Sequence, residues 1–482
     1  MATTQKNPLL RIKPIDLILK QSDDAEHGLK RTLGPVSITL LGIGAIVGTG
    51  IFVLTGVAAA KYAGPGLILS FIVAGIVSGL AAICYAEFAS TVPISGSAYT
   101  YSYATLGELI AWIIGWDLIL EYAVGAAAVA IGWSGYLVDL LKGAFGITLP
   151  KALTASPFSG GIINLPAFII IILITGLLIL GTSESAKVNN VIVVIKLAVI
   201  VFFLVVGFGH IQTSNWSPFL PFGAGGIFRG ASIIFFAYIG FDQISTSAEE
   251  TRNPARDLPI GIFVSLLVCT VLYILVTAVL TGVVSYTKLN VASPVSHSLI
   301  LLGLNAAGSI ISVGAICGLT TVLIVLLFGQ SRIFFSMSRD GLLPRFFSRV
   351  HPRFRTPYLS SLLVGIVVAL VAALTPIDVV AELTNIGTLA AFVLVSAAVL
   401  VLRRTQPNLR RGFRTPWVPV IPILSVIASF VLIVSLPLIT IVRFAVWLVI
   451  GLIIYFLYSQ RRSHLQQPPS KIPEADIAGE ES

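Results

Sequence analysis

The chain has 482 residues, of which 56% are hydrophobic and only 11% are charged, and its formal net charge is +9. Soluble globular domains carry about 25% charged residues, so this composition excludes an ordinary water-soluble protein. Its outer surface must face lipid, because a chain this apolar has too little polar surface to cover itself in water.

Apolar segments of membrane-spanning length recur twelve times along the chain. A transmembrane helix needs about 20 residues, and the ninth and tenth segments are separated at Pro376. We place the segments near residues 36–60, 66–90, 108–138, 164–182, 188–209, 227–247, 259–284, 308–337, 358–375, 379–402, 417–437 and 440–459. The sequence therefore predicts an all-α membrane protein with twelve transmembrane helices.

The positive charges test this division. With both termini on one side of the membrane, that side holds 23 of the 30 lysine and arginine residues, and the opposite loops hold 5. Cytoplasmic loops carry such an excess, so we expect both termini in the cytoplasm and the chain in the inner (cytoplasmic) cell membrane. The basic residues lie beside membrane ends, where lipid and not nucleic acid is the expected partner.

The first segment contains four glycines within nine residues, in LLGIGAIVGTGIF over residues 40–52. Each glycine weakens a helix by about 1 kcal/mol relative to alanine. Such a cluster indicates either close helix packing or an unwound stretch whose backbone groups bind a ligand. The first segment alone does not separate the two readings.

The sixth segment, FFAYIGFD over residues 235–242, favours the unwound reading. It places Gly240 and then Asp242 in the interior of a membrane span. Two interrupted helices at corresponding positions of two halves indicate the central site of a transporter. An unwound stretch presents amide N–H groups at the start of its second half, where a carboxylate is stabilised, and carbonyl groups at the end of its first half, which suit an ammonium. The pair predicts a site for a zwitterionic amino acid.

Several ionisable residues lie within the predicted spans. Lys196 is near the centre of the fifth segment, where a charged group in lipid costs several kcal/mol. We expect it to face the bundle interior, either as a structural tie between helices or in proton coupling. Glu121 follows Asp117 at helical spacing, so the two share one face. Asp242 adjoins the second break and is the stronger site candidate.

Seven motifs resemble those of one family. They are GIGAIVGTGIF (42–52), PISGSAY (93–99), FFAYIGFD (235–242), EETRNPARDLP (249–259), SRDGLLP (338–344) and ELTNIGT (382–388), with FRTPW (413–417) near the end. The chain resembles the amino acid–polyamine–organocation superfamily over roughly residues 30 to 460, and within it the cationic amino acid transporter branch with bacterial architecture.

The resemblance implies a domain organisation. It consists of an inverted repeat of the leucine-transporter type with two further helices, divided as an amino-terminal tail (1–35), a first five-helix repeat (36–210), a second five-helix repeat (211–402), helices 11 and 12 (403–459) and a carboxyl-terminal tail (460–482).

The resemblance also implies site residues. The substrate carboxylate would meet the first break at Gly48, Thr49 and Gly50, and its ammonium would meet carbonyls of Ile46, Phe236, Ala237 and Ile239. Glu121, Asp242 and Leu326 would lie near the substrate side chain. Lys196 matches the family lysine that is associated with proton coupling.

These observations predict a secondary amino-acid permease that couples uptake of small neutral or cationic amino acids to protons. The bulky Leu326 disfavours arginine, whereas Glu121 and Asp242 favour a cationic substrate. An exchanger of the same fold and an amino-acid sensor remain alternatives, although tails of about thirty residues do not predict a signalling domain.

The sequence predicts no enzymatic activity, metal site or cofactor. Its five histidines and three cysteines are scattered, without the spacing of metal ligands or of a nucleophile and its base. The expected partners are the amino acid, the proton and membrane lipid. The sequence leaves open whether a small accessory membrane subunit binds.

Overall fold

The computed structural model describes residues 11–12, 33–91, 97–181, 186–354, 356–409 and 411–465. Most of the two predicted tails and residues 93–96 of the PISGSAY motif lie outside this part of the chain. The α-helices of eight or more residues are α1 (Pro35–Ile46), α2 (Leu67–Thr91), α3 (Ser97–Thr105), α4 (Glu108–Phe145), α5 (Leu165–Leu180), α6 (Ala186–Phe208), α7 (Gly223–Ile234), α8 (Pro254–Val283), α9 (Pro294–Leu301), α10 (Asn305–Arg339), α11 (Tyr358–Leu374), α12 (Ile377–Thr405), α13 (Val420–Ser435) and α14 (Leu438–Ile454).

The described residues form an all-helical protein, in which β-structure is limited to two isolated bridges, Leu33 with Thr251 and Thr154 with Asn164. Seven helical stretches are long and apolar enough to cross a membrane, and α5, α11 and α13 are shorter apolar helices. The stretch Pro35–Thr91 contains two of the predicted spans, and the segment after α7 is interrupted. The chain is thus a multi-pass membrane protein, and the count of twelve spans stays a prediction.

Helix α4 is longer than predicted, since it continues to Phe145 where the sequence predicts an end near residue 138. Its 38 residues span about 57 Å at 1.5 Å each, which exceeds the hydrocarbon core of about 30 Å. Hydropathy detects only the apolar part of such a helix. The extension carries Asp139, whose Oδ2 accepts hydrogen bonds from the hydroxyls of Ser293 and Ser296 at the start of α9.

Helix α4 lies at the centre of the bundle and the last helix lies at its edge. In the most apolar window of α4, 89% of the residues are buried inside the protein, compared with 22% for Leu438–Arg462. The large apolar side chains of α13 and α14 are largely exposed, as expected for helices that face lipid, because lipid tails solvate them as well as a protein core does. The central position of α4 allows its side chains to line an internal site.

A buried ion cluster closes one end of the bundle. The Glu87 carboxylate, at the end of α2, lies 2.9 Å from Nε of Arg403 on α12 and 3.0 Å from Nε of Arg411. It also accepts a hydrogen bond of 2.8 Å from the backbone N–H of Thr415. The side chain of Glu87 is fully buried, and its negative charge offsets the cations of Arg411, which is 1% exposed, and Arg403, which is 23% exposed. This cluster ties α2 to α12 and to the loop that follows it.

We expect Glu87→Gln to destabilise the protein by about 3 kcal/mol, because removing one partner leaves buried charge without compensation. Asp378→Asn is the matched control, since Asp378 pairs with Lys61 where the side chains are 30% and 38% exposed, and exposed pairs contribute about 0–1 kcal/mol. Melting temperatures of the reconstituted proteins measure both changes. Equal shifts for the two variants would contradict a structural role for the buried cluster.

Candidate substrate site at two crossing helix breaks

The first break follows directly from α1. That helix ends at Ile46, Val47 adopts an extended conformation (φ −76°, ψ 98°), and the chain resumes as a π-helical turn over Gly50–Leu54. A helix end leaves carbonyl groups without intrahelical partners, and a helix start leaves N–H groups without them. The glycine cluster of the first segment therefore coincides with an interruption of the helix.

The second break lies on the other side of the same region. Helix α7 ends at Ile234 and passes into a 3₁₀ turn over Phe235–Tyr238. Ile239 is extended (φ −64°, ψ 136°), Gly240 has φ 119°, and a second 3₁₀ segment spans Asp242–Glu250. The left-handed φ of Gly240 disfavours any residue with a side chain at this position.

The two breaks cross in direct backbone contact. A Cβ atom on Gly50 would lie 2.2 Å from Cα of Ala237, and a Cβ atom on Gly240 would lie 2.8 Å from the carbonyl carbon and oxygen of Ala45. Neither distance leaves room for a methyl group. Gly50 and Gly240 therefore permit the close approach of the two backbone segments. The first glycine cluster thus serves both close packing and the interruption of the helix.

A small cavity lies at this crossing, with room for little more than a few water molecules, so an amino acid would need it to open further. Eight of the residues predicted for the substrate line it: Ile46, Gly48, Thr49, Gly50, Glu121, Phe236, Ile239 and Leu326. The structure adds five further lining residues: Ala45, Gly125, Val129, Val322 and Thr384. Ala237 and Asp242 do not line it.

Thr49 presents a free hydroxyl in this cavity. The residue is 1% exposed, and its Oγ1 has no hydrogen-bond partner among the described residues. A buried hydroxyl without a partner costs about 1–3 kcal/mol. A ligand atom that accepts or donates a hydrogen bond at this position would remove that cost.

The three carboxylates near the cavity have different surroundings. Glu121 lines it and lies within hydrogen-bonding range of Thr388. Asp242 is near enough to Glu121 to act on it electrostatically, and its Oδ1 accepts a hydrogen bond of 3.2 Å from the Gly240 N–H. Asp117 is 1% exposed, and neither of its oxygens has a partner in the described part of the chain. The shared helix face places Asp117 and Glu121 inside the bundle, but only Glu121 reaches the cavity.

Lys196 joins α6 to the end of α1. Its Nζ donates hydrogen bonds to the carbonyl oxygens of Gly44 at 2.9 Å and Val47 at 3.2 Å. The side chain is 1% exposed, and its methylene groups pack so closely on Gly318 of α10 that a Cβ there would lie 2.9 Å from Cε. The ammonium thus donates hydrogen bonds to carbonyls that the first break leaves without helical partners. Gly318 of α10 leaves room for the lysine side chain, because it has no side chain at the contact.

Tyr273 of α8 was not identified from the sequence. Its hydroxyl lies 2.9 Å from the carbonyl oxygen of Ile46 and 2.7 Å from that of Ala237, so it bridges the two breaks. A hydroxyl has one proton and donates to one of the two at a time. The carbonyl of Phe236 accepts from the Ile239 N–H at 3.3 Å. The sequence signal for this residue was a tyrosine within an apolar segment, but the sequence does not show which way its side chain points.

The arrangement suits reversible binding of a zwitterion. Backbone N–H groups at the start of the Gly50–Leu54 turn and the Thr49 hydroxyl provide donors, and carbonyls at the two breaks provide acceptors. Among the described residues, no group of three or more His, Cys, Asp or Glu side chains is placed to bind a metal ion.

We expect Gly50→Ala to lower the melting temperature, because its methyl group would overlap the Ala237 backbone and overpacking costs about 1–3 kcal/mol. Gly176→Ala in α5 is the matched control, since a Cβ there meets no atom within 4 Å and alanine favours the helix by about 1 kcal/mol. A Gly50→Ala protein as stable as the wild type would contradict the close crossing of the two breaks.

Comparison with known protein families matches residues 33–458 to the amino acid permease family. The chain is 53% identical over 468 residues to a branched-chain amino acid permease of Bacillus subtilis, with 96% of this chain and all of the relative covered. It is 51% identical over 461 residues to a methylthioribose transporter of the same organism, covering 95% of this chain and 99% of the relative.

A vacuolar cationic amino acid transporter of Arabidopsis thaliana is 38% identical over 408 residues, covering 83% of this chain and 68% of the relative. These relatives are transporters and not enzymes. Because the family match spans nearly the whole described helical region, the chain belongs to the amino acid permease family of the amino acid–polyamine–organocation superfamily.

Proposed function

We propose that this permease takes up an amino acid with an uncharged aliphatic side chain together with a proton, by alternating access across the cell membrane. The observation that carries the proposal is the cavity at the crossing of the two helix breaks, with the unpaired Thr49 hydroxyl in its wall. Both termini are cytoplasmic in this proposal, and the twelve spans comprise two inverted five-helix repeats and two further helices.

The substrate carboxylate binds at Thr49 and Gly50. Gly48 and Gly50 both line the cavity, so a ligand there can approach their backbone. The N–H groups at the start of the π-helical turn carry the positive end of the peptide dipoles, which stabilises an anion. The Thr49 hydroxyl adds a hydrogen bond that no described protein group receives.

The substrate ammonium binds to carbonyl groups at the ends of the first half-helices. Ile46, Phe236 and Ile239 line the cavity, whereas Ala237 is placed behind it. Because the Tyr273 hydroxyl already contacts the carbonyls of Ile46 and Ala237, the ammonium would share these carbonyls through their second lone pairs or displace the hydroxyl from Ile46. In this proposal the Ala237 carbonyl accepts a hydrogen bond from Tyr273 and does not contact the substrate directly.

The remaining wall favours an aliphatic side chain. Val129, Val322 and Leu326 are apolar, and Glu121 is the ionisable residue of this lining. The branched-chain permease at 53% identity agrees with an apolar substrate, and the methylthioribose transporter at 51% identity makes that thioether sugar the second candidate.

Lys196 couples the proton to this cycle. Its ammonium holds the Gly44 and Val47 carbonyls next to the first break, so loss of its proton would weaken the tie between α6 and α1. A proton on a group that contacts the moving half-helix couples protonation to opening. An exchanger that needs substrate on both sides is the main alternative, and a sensor that binds without transport is the other.

Uptake by proteoliposomes tests the substrate. We expect labelled leucine, isoleucine, valine or alanine to enter faster than arginine or methylthioribose. Thr49→Val should raise the KM of the preferred substrate about 10-fold or more, because a hydrogen bond to a charged group contributes about 1.5–3 kcal/mol. Thr175→Val on α5 is the control, because this buried threonine does not line the cavity and its hydroxyl donates to the Ile171 carbonyl of its own helix. Preferential uptake of arginine or methylthioribose would overturn the assignment of the substrate class.

An imposed proton gradient tests the coupling. We expect an inward gradient to stimulate uptake by the wild type and not by Lys196→Met, which keeps the length of the side chain without a titratable group. Lys61→Met, which changes an exposed lysine paired with Asp378, should retain the stimulation. Uptake that depends on preloaded substrate and not on the gradient would support the exchanger, and binding without any uptake would support the sensor.

A further inference from the structure

Asn385 makes a contact at the second break that resembles the contact of Lys196 at the first. It lies on α12 within the ELTNIGT motif and is 0% exposed. Its Nδ2 donates hydrogen bonds to the carbonyl oxygens of Ser232 at 2.9 Å and Ile233 at 2.8 Å. These carbonyls belong to the last turn of α7, directly before the 3₁₀ turn that leads into the second break.

The neighbours of Asn385 fix the orientation of its amide. Both neighbours are carbonyl oxygens, which only accept hydrogen bonds, so the NH₂ group and not the oxygen must face them. The amide oxygen then points away, and it has no hydrogen-bond partner among the described residues. The amide of Asn385 thus donates two hydrogen bonds, while its buried oxygen accepts none from the described residues.

Lys196 and Asn385 occupy corresponding places in the two halves of the chain. Lys196 lies on α6, the fifth predicted span, and donates to two carbonyls at the end of the first half-helix of span one. Asn385 lies on α12, the tenth predicted span, and donates to two carbonyls at the end of the first half-helix of span six. Each break is therefore held by a double donor four predicted spans further along the chain.

We propose that Asn385 is a positioning residue for substrate binding, the uncharged counterpart of Lys196, and that it holds the end of α7 so that Phe236 and Ile239 face the cavity. Its neighbour Thr384 lines the same cavity. Helix α12 therefore contributes one residue to the cavity wall and one that is hydrogen-bonded to α7. Lys196 can lose a proton and release its break, whereas Asn385 cannot. The first break is thus the proton-responsive half of the site, and the second break is fixed by a donor that does not titrate.

The inference rests on the proposed function for its transport readout, and hydrogen–deuterium exchange of the full chain in lipid nanodiscs tests it independently of transport. We expect Asn385→Leu to increase exchange over residues 232–240 and to leave residues 43–48 unchanged, and Lys196→Met to do the reverse. In proteoliposomes, Asn385→Leu should raise the KM for the transported amino acid on the order of tenfold and keep the stimulation by a proton gradient. Asn385→His, which retains an N–H donor, should recover part of the affinity.

Asn164→Leu is the matched control, because Asn164 is also buried but binds Ser134 and the start of α5, away from the site. It should lower the melting temperature without changing the KM. Unchanged exchange over 232–240 together with an unchanged KM in Asn385→Leu would overturn the inference, as would loss of the proton dependence.

Absence of uptake by the wild type would instead refute the proposed function, and the exchange measurement would still decide the role of Asn385. If Asn385→Leu does not fold, Asn385→Ser takes its place. Misfolding of both variants while Asn164→Leu folds would contradict a local positioning role.

Discussion

The site depends on a backbone contact between two interrupted helices, where Gly50 lies against Ala237 and Gly240 lies against Ala45. Inside a membrane, every backbone N–H or C=O that a helix gives up must find another partner, since no bulk water is available. The crossing therefore creates a need for hydrogen bonds and, in the same place, a cavity lined by backbone. Several buried polar side chains around it donate hydrogen bonds to the backbone groups that the breaks free.

Three side chains from three other helices meet part of the need at the carbonyl ends. Lys196 of α6 serves Gly44 and Val47, and Asn385 of α12 serves Ser232 and Ile233. Tyr273 of α8 contacts one carbonyl of each break. These donors connect the broken helices to the surrounding bundle. The Thr49 hydroxyl remains without a described partner, which leaves a polar group available to a ligand.

Backbone and side chains have different roles in such a site: the backbone would bind the two poles of an amino acid, and the side chains would select the rest of the ligand. The branched-chain permease and the methylthioribose transporter are both more than half identical to this chain. The poles of a bound amino acid would meet mainly backbone, which changes little with sequence. The rest of the ligand would meet side chains such as Leu326, Val322 and Glu121, and these can change without disturbing the crossing.

Composition and local pattern were sufficient to determine the lipid environment, the helical class, the family resemblance and the positions of both helix breaks. Each of these follows from neighbours in the chain, such as the glycines of residues 42–50 or the FFAYIGFD motif. Only the tertiary structure placed Asp242 outside the cavity wall, added Val129, Val322 and Thr384 to it, and assigned Tyr273 and Asn385 to the breaks. These facts depend on which way a side chain points from a distant helix, and the periodicity of a uniformly apolar segment does not encode that direction.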